Sequence, residues 1–470
     1  MADFVVSGQS RVAGRSSKRS QNVVKENLFV MAFIHEGSCE CTKSELDPFS
    51  VPPTQTSIEN GVFVEYHPIS SLSDGAPIEF EVSSSGDDYI DFANSYLYVR
   101  AKITRANGTN LEDADKVGPI NNFLHSLFSQ VDVSLNGTLI TNSTNTYPYR
   151  SYIETLLSYG PSAKKSHLTA CLYYKDEAGK MDKADPNAAE DERNSGLVQR
   201  AAFTSRSAEV DMIGRIHSDI FFQERYMLNE VNTRIKLTRS KDAFCLMASG
   251  EQSYKVKLTA AALFVRKVKI SPSVYLAHAK TLESGMAKYP IRRVICKTFT
   301  IPTGYLDVSH EKLFAGQLPS RLVIGCVDNR AFNGDVSRNP FNFKHFSLNE
   351  IMVYLDGQQH GIKPLSSIFA QGQYISAFMS LFSGTGKANR DEGNDIDRSE
   401  FANGYALYAF DLSPDLSEDD HFNLARQGTV RIDLKFATAL PHTLTVVAYA
   451  EFENIIEIDR NRNVAFDFNN

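Results

Sequence analysis

Residues 131–137 read Val-Asp-Val-Ser-Leu-Asn-Gly, and residues 351–357 read Ile-Met-Val-Tyr-Leu-Asp-Gly. In the first segment apolar and polar side chains alternate, which is typical of a β-strand with one buried face. The Asn-Gly pair between that strand and the apolar residues 138–140 predicts a hairpin, because both turn positions need a positive φ. The Asp-Gly pair of the second segment meets the same requirement at the matching place. Both halves of the chain therefore predict the same strand and the same turn.

Two further pairs of similar segments follow in the same order along the chain. Residues 233–237 (Thr-Arg-Ile-Lys-Leu) correspond to residues 430–434 (Val-Arg-Ile-Asp-Leu), and residues 258–262 (Leu-Thr-Ala-Ala-Ala) to residues 444–448 (Leu-Thr-Val-Val-Ala). Roughly 185 to 220 residues separate the partners, far more than the roughly 20 to 50 residues of a solenoid repeat. We therefore expect two tandem copies of one β-rich domain, the kind of part from which symmetric shells and rings are made.

The periodicity elsewhere predicts many short strands and few helices. Residues 96–103 alternate between apolar and polar, as a half-buried strand does. A helical pattern follows each hairpin, with apolar residues at i, i+3 and i+4 over 149–157 and over 374–382. We expect each helix to lie as a lid over a core, with Ile375 and Met379 in the apolar stripe of the second. Many strands and two lid helices predict an all-β fold of two antiparallel sandwiches.

The predicted organisation has three parts. Residues 1–60 have poor periodicity and several prolines, which favours an extended N-terminal arm. The strand pattern lapses around residues 271–288, and we place the boundary between the two halves there. The predicted domains are therefore the arm, a first sandwich over 61–285 and a second sandwich over 286–470.

The composition is that of an ordinary globular protein. The chain has 470 residues, of which 42% are hydrophobic and 22% are charged. No apolar run approaches the ~18 residues that a membrane-spanning helix needs, and the first 30 residues lack the core of a signal peptide. We therefore expect no membrane span and no export signal. The six scattered cysteines are expected to be reduced thiols, mostly in the core.

The net charge of −7 is unevenly distributed along the chain. The first 25 residues contain one acid, Asp3, and five basic residues, Arg11, Arg15, Lys18, Arg19 and Lys25. A basic arm ahead of an acidic body suits contact with nucleic acid, a membrane surface or an acidic partner, and it also suits a solvated tail. Both interpretations stay open at this point.

Two long polar segments follow the predicted lid helices. Residues 175–197 and 384–404 are rich in charged side chains and poor in apolar ones. Neither has enough apolar surface to form a core of its own. We therefore expect both to be surface insertions that crown an outer face or clasp a neighbouring subunit. We expect deletion of 176–196 to spare the fold but to weaken trimers or particles.

No constellation of residues predicts catalysis or a cofactor. Residues 384–387 (Gly-Thr-Gly-Lys) resemble the end of a phosphate-binding loop but lack its earlier glycine and its hydroxyl. His35, Cys39 and Cys41 are too few for a structural zinc site. The acid pairs at 87–88 and 419–420 are more typical of loops than of a catalytic dyad. We predict no catalytic residue, no metal site and no cofactor.

A basic stretch lies on predicted strands near the end of the first half. With strand alternation, Lys255 and Lys257 share a face, and Lys267 and Lys269 also share a face. Arg266 directly precedes Lys267. A solvated face explains this pattern, and a contact surface for an acidic neighbouring subunit is the alternative.

Three long segments carry a resemblance to a known family. Residues 117–137 (VGPINNFLHSLFSQVDVSLNG), 145–160 (NTYPYRSYIETLLSYG) and 39–57 (CECTKSELDPFSVPPTQTS) resemble segments of the major capsid proteins of Polinton (Maverick) elements and adintoviruses. The resemblance extends over roughly residues 31–458. Members of that family open near the residue that matches Met31, so residues 1–30 depart from the pattern.

The resemblance implies a specific architecture and function. The family looks like the double jelly-roll lineage of virophage capsid proteins and adenovirus hexon, with two eight-stranded jelly rolls side by side. It implies homotrimers that act as pseudo-hexagonal tiles of an icosahedral virion, with penton and minor capsid proteins as neighbours. By hypothesis, the basic arm would then point inward, either to the genome through weak, non-specific DNA contact or to a minor coat protein.

Two other functions remain as alternatives. A minor or vertex coat protein is one, although such proteins usually need a single jelly roll. A cellular two-sandwich carbohydrate-binding protein or hydrolase is the other. That second class favours an aromatic sugar platform, often with Trp, and the chain has no Trp.

Overall fold

The computed structural model describes residues 37, 39, 41, 43–72, 75–84, 86–361, 363–416 and 421–466. The chain divides into two units, residues 1–55 and 56–470. In the described part of the first unit, Ser44–Leu46 form an exposed 3-10 turn. After it, Asp47 Oδ1 accepts hydrogen bonds from the backbone N–H groups of Phe49 and Ser50, each over 3.2 Å.

The second unit is built mainly from antiparallel strands, with short helices between them. The strands are β1 (Ile58–Tyr66), β2 (Ile78–Val82), β3 (Asp88–Arg105), β4 (Val117–Pro119), β5 (Phe128–Leu135), β6 (Thr138–Leu139), β7 (Val210–Gly214), β8 (Thr233–Arg239), β9 (Leu246–Ala248), β10 (Tyr254–Ile270), β11 (Ala287–Ile301), β12 (Asp307–Gln317), β13 (Arg321–Asp328), β14 (Leu348–Leu355), β15 (Gln358–Gln359), β16 (Leu365–Ser366), β17 (Leu407–Asp411), β18 (Gln427–Phe436), β19 (Leu444–Ile458) and β20 (Val464–Phe466). The α-helices are α1 (Phe123–Ser126), α2 (Tyr147–Ser158), α3 (Pro161–Lys164), α4 (Ser195–Phe203), α5 (Asp242–Cys245), α6 (Pro272–Leu282), α7 (Asn329–Asn333), α8 (Ile375–Ser383) and α9 (Arg398–Ala402). Short 3-10 helices lie at His167–Cys171, Ser205–Ser207, Asp219–Phe221 and Phe369–Gln371.

The strands form two sandwiches with the same topology. In the first sandwich, one sheet has the order β1-β10-β3-β7 and the other β2-β8-β5-β6. In the second sandwich, the corresponding orders are β11-β19-β13-β17 and β12-β18-β14-β15, with β20 added beside β19 and β16 beside β14. Two four-stranded sheets connected in this way form a jelly roll. The chain is therefore a double jelly roll, as predicted, and α6 connects the last strand of the first to β11.

The two predicted hairpins are present and have equivalent geometry. Asn136 and Gly137 have φ values of 45° and 83°, and Asp356 and Gly357 have 49° and 78°. Positive φ at both positions is what a two-residue hairpin turn requires. The neighbouring strands also keep one register, because β5 pairs with β8 as β14 pairs with β18. The equivalent pairs are Val133 with Ile235 and Val353 with Ile432.

The alternation predicted for β3 is confirmed. Leu97, Val99, Ala101 and Ile103 are fully buried, while the residues between them are half-buried or exposed. This pattern is typical of an antiparallel sheet that covers a core on one face only. In the second sandwich, by contrast, β19 is buried at every residue from 444 to 450. Its sheet is therefore covered on both faces.

The two lid helices are present, but the second one faces differently from the prediction. α2 buries its apolar side chains almost completely. α8 buries Ala377 and Leu381, whereas Ile375 is 53% exposed and Met379 is 45% exposed. The predicted stripe was wrong for these two residues. Because α8 is apolar around most of its circumference, its spacing alone did not identify the side that faces the core.

The prediction that residues 175–197 and 384–404 are surface insertions was wrong in part. Asp176 and Asn194 in the first segment and Asn394 in the second are almost completely buried. Apolar residues in both segments are buried too, including Met181 and Phe401. Charged side chains can be buried where they are paired and hydrogen-bonded, which composition does not reveal. Deletion of 176–196 would therefore remove part of the interior.

Candidate functional site

The helix α2 follows β6 of the first sandwich but packs against the second. The ring of Tyr152 stacks on that of Phe341, with centroids 4.1 Å apart and 2° between the ring planes. At the start of the helix, Thr146 Oγ1 donates to the carbonyl oxygen of Cys296 over 3.0 Å. The helix also contacts β5 of its own sandwich. α2 is therefore buried on two sides and joins the two jelly rolls.

The residues that face α2 form a row across the sheet β11-β19-β13. Cys296 pairs with Tyr449, which pairs in turn with Val323. Tyr449 Oη donates to Glu154 Oε1 over 3.4 Å. A cavity of about 180 Å³ is lined by Glu154, Val323 and Tyr449 together. A helix from the first half thus covers the outer face of a sheet in the second half.

A buried charged network lies beside α2. Arg150 Nε donates to Glu154 Oε1 over 2.9 Å, and Arg150 Nη2 donates to Asp219 Oδ1 over 2.6 Å. His217 Nδ1 lies 2.5 Å from Glu154 Oε2. Burial raises the pKa of Glu154, but Arg150 and His217 lower it more, so this pKa lies below its ordinary value. Glu154 therefore serves as the shared partner of two basic groups, which suits packing better than proton transfer.

A second buried network is centred on Asp176. Arg200 Nη2 donates to Asp176 Oδ1 over 2.7 Å, and Asn194 Nδ2 donates to the same oxygen over 2.8 Å. From the second half of the chain, Asn339 Nδ2 donates to Asp176 Oδ2 over 3.0 Å, and Tyr405 Oη donates to the Asp176 carbonyl oxygen over 2.6 Å. One aspartate therefore holds residues of both halves together.

The two polar segments also contact each other directly. Lys175 Nζ lies 2.7 Å from Glu400 Oε2. Lys164 Nζ donates to the carbonyl oxygens of Leu156, over 2.8 Å, and Asn394. Burial lowers the pKa of Lys164 to about 7. These contacts tie the end of α2 and the first segment to the second segment.

The residues considered for metal binding or catalysis do not come together in the described part of the chain. Cys39 and Cys41 are exposed, and His35 lies outside the described residues. Among the residues that the structure describes, no group of three or more His, Cys, Asp or Glu side chains could hold a metal ion. Asp87 is exposed just before β3, and residues 419–420 are not described.

The glycine-rich segment at 384–387 and the basic stretch of β10 lie in or next to regular secondary structure. Gly384 follows α8, and Lys387 Nζ donates to the carbonyl oxygen of Ser158 over 2.9 Å. Lys255 and Lys257 are exposed on β10, and Lys269 lies 3.4 Å from Glu59. The residues that make the arm basic, Arg11, Arg15, Lys18 and Arg19, lie outside the described residues.

Sequence reasoning missed both buried charged networks. One signal for the first was present, since Arg150 and Glu154 stand at i and i+4 within an otherwise apolar helix. Such a spacing predicts an ion pair along the helix, but it does not predict that the pair is buried. For Asp176 no local signal exists, because its partners come from distant parts of the chain.

Within the described residues, no helix is long and apolar enough to cross a membrane. No family model matches the chain. An uncharacterized protein of Caenorhabditis elegans is 27% identical over 431 residues, which cover 89% of this chain and 99% of the relative. That near-complete overlap indicates that the nematode protein and this chain share both halves.

Solved structures of viruses are similar in fold. A chain of the Sputnik virophage structure superposes with a TM-score of 0.63 at 11% identity, covering 93% of this chain and 95% of that chain. The mavirus major capsid protein gives 0.53 at 12% identity, covering 93% and 96%. The Faustovirus major capsid protein gives 0.55 at 8% identity, covering 87% and 92%. At these identities the likeness is one of fold, and it extends over both jelly rolls.

Proposed function

We propose that this chain is the major coat protein of an icosahedral virus or virus-like element. The observation that carries the proposal is the joined duplication, in which two jelly rolls of one topology share a buried junction. Such a junction fixes the relative position of the two sandwiches, which a tile needs and two independent binding modules do not. The capsid proteins of similar fold match both sandwiches rather than one. That extent also disfavours a minor or vertex protein with a single jelly roll.

The proposed assembly is a homotrimer. Three copies of a duplicated chain present six similar sandwiches, so a trimer can occupy a site with six neighbours. Each contact between copies would join different surfaces of the two chains, and such contacts close into a ring when the rotation allows it. The proposed domain limits are 61–285 and 286–470, with residues 1–60 as the arm.

The proposed lineage is that of Polinton elements and adintoviruses. It rests on the resemblance of residues 39–57, 117–137 and 145–160, and a near-full-length relative in a nematode supports an element carried in animal genomes. The protein would then reside in the virion beside penton and minor capsid proteins. Its role would be structural, since Glu154 and Asp176 are engaged in packing.

The basic arm is proposed to face the interior of the particle. Arg11, Arg15, Lys18 and Arg19 would neutralise phosphates without reading sequence, because such contacts are electrostatic. The acidic body of the protein would repel the genome, so the arm would be the main point of contact.

Size-exclusion chromatography with light scattering, followed by negative-stain microscopy, tests the proposal. The expressed full-length chain should elute with the mass of a trimer, and concentrated samples should contain hexagonal tiles or shells. A chain that stays monomeric at all concentrations and binds a sugar column would contradict it and favour the carbohydrate-binding alternative.

A further inference from the structure

The two sandwiches differ in how much of their outer surface is covered. The sheet β11-β19-β13-β17 is covered by α2 and, at β17, by α8, and β13 and β19 are buried on both faces. The equivalent sheet of the first sandwich, β1-β10-β3-β7, is buried mainly on its inner face. The two sandwiches thus share one topology but differ at the outer face of this sheet, which is covered in the second sandwich and uncovered in the first.

That uncovered surface carries an apolar row across its four strands. Phe63 of β1 is 58% exposed, and its ring lies 6.5 Å from that of Tyr96 on β3. The ring of Phe264 on β10 lies 6.2 Å from that of Tyr98, which pairs directly with the exposed Ile213 of β7. Residues that pair directly across strands point to the same side of a sheet. We call these five residues the sheet row.

The helix equivalent to α2 shows the complementary difference. α2 and α8 each follow the hairpin of their own sandwich, β5-β6 for α2 and β14-β15 for α8. α2 is buried on two sides, whereas α8 packs on β17 through one side and exposes Ile375 and Met379 on the other. An apolar stripe on a helix is normally buried against a neighbouring element. The exposed side of α8 therefore lacks the counterpart that α2 has within the chain.

We infer that the exposed side of α8 packs on the sheet row of a second copy of this chain. The contact would repeat, between copies, the packing of α2 on the sheet β11-β19-β13 within one copy. Within one chain, α2 already covers the sheet of the second sandwich. A contact between α8 and the sheet of the first sandwich would therefore need another molecule. This inference rests on the proposed coat function and identifies the surfaces that join its subunits.

The charges of the two surfaces support a second copy as the occupant. On the outward side of the first sheet, the four cations Arg100, Lys102, Lys255 and Lys257 outnumber the three acids Glu65, Glu209 and Asp211. The segment 384–404, which follows α8, has five acids against three cations; they are Asp391, Glu392, Asp395, Asp397 and Glu400 against Lys387, Arg390 and Arg398. Lys175 pairs with Asp395 and Glu400 within the chain, which makes the balance five acids against four cations. Complementary charges of this kind fix the orientation of partners and speed their encounter. The basic stretch on β10 then has a defined neighbour.

The contact joins two different surfaces, which gives it a testable property. Each copy offers α8 to one neighbour and its sheet row to another, so repeated contacts propagate around a ring. A variant that loses α8 keeps a working sheet row, and a variant that loses the sheet row keeps a working α8. Two such variants, each unable to close a ring, should still bind each other through the one intact pair of surfaces.

The experiment compares three full-length variants with the wild type. The α8 variant carries Ile375→Asp and Met379→Asp, and the sheet variant carries Phe63→Asp and Ile213→Asp. Leu276→Asp on α6 is the matched control, since Leu276 is also a large exposed apolar residue. All five substituted residues are exposed, so we expect each variant to fold. Circular dichroism and thermal unfolding verify this. Sedimentation velocity then measures association.

The wild type and the control should form the same trimer. Each of the other variants should need at least about tenfold more protein for half-association, since a charge at the centre of an apolar contact removes its main anchor. An equimolar mixture of the α8 and sheet variants should contain a 1:1 complex that neither forms alone. The proposed contact would be wrong if both variants formed the same trimer as the wild type, or if the mixture contained no 1:1 complex. A wild type that is always monomeric would overturn the coat function as well.

Discussion

Arg200 Nη2 donates to Asp176 Oδ1 over 2.7 Å, and both side chains are completely buried. The pair stands at the point where the two jelly rolls meet, since Asp176 also accepts from Asn339 of the second half. A buried ion pair becomes costly when one partner is removed, because the other charge is left without compensation. The junction is therefore sensitive to single substitutions.

Replacement of Arg200 by alanine should lower the free energy of unfolding by about 3–5 kcal/mol, since Asp176 would remain buried without its cation. The double substitution Arg200→Met with Asp176→Leu should cost less, because it removes both charges. Chemical denaturation of the purified protein measures both. Arg206→Ala is the matched control, because its pair with Asp113 is exposed on both sides and contributes little. Equal losses for Arg200→Ala and the control would contradict the role of the pair.

The equivalent hairpins should respond equally to substitution of their glycines. Gly137→Ala and Gly357→Ala should each cost about 1–2 kcal/mol, because a Cβ is unfavourable at positive φ. Steric crowding does not cause this loss of stability, since neither position has an atom within 4 Å of the added Cβ. Gly393→Ala is the control, as it has the same open surroundings without a positive φ. Denaturation midpoints decide the outcome, and a control as destabilised as the hairpin variants would refute the explanation.

The parts of the fold that sequence predicted are those fixed by local chemistry. The turn at Asn136 and Gly137 needs only its own residues, and the alternation in β3 needs only a core on one side. The cover over β19 depends on α2, which is far away in the chain. The burial of Asp176 depends on Asn339 and Tyr405, so composition alone suggested a surface insertion. The prediction was therefore limited by the long-range pairing of polar groups. The recognition of strands did not limit it.

Acidification should destabilise the protein through His125. This side chain is buried, its Nδ1 lies 3.0 Å from Tyr147 Oη, and its ring lies 4.5 Å from that of His217. Burial, and then the nearby His217, hold the pKa of His125 well below its ordinary value of about 6.5. Below that pH the unfolded chain takes up a proton that the folded chain does not, so stability falls as pH decreases.

Denaturation midpoints measured between about pH 5 and 8 test this dependence. The wild type should lose stability as pH falls below about 6.5, and His125→Asn should lose less over the same interval. His278→Asn is the control, since His278 is exposed. Parallel curves for the wild type and His125→Asn would show that another group causes the loss.

The basic arm should determine how strongly the protein holds DNA, because four of its cations lie within a short stretch before the acidic body. Each phosphate contact contributes about 0.9 to the slope of the logarithm of the binding constant against the logarithm of the salt concentration. Substitution of Arg11, Arg15, Lys18 and Arg19 by glutamine should therefore reduce that slope by up to about 3.6, as measured by fluorescence anisotropy with a duplex of arbitrary sequence. Lys255→Gln with Lys257→Gln is the control, since these exposed cations belong to the sheet that we assign to subunit contact. If the control reduced the slope and the arm variant did not, DNA would lie against the jelly rolls instead, and the inward-facing arm would be wrong.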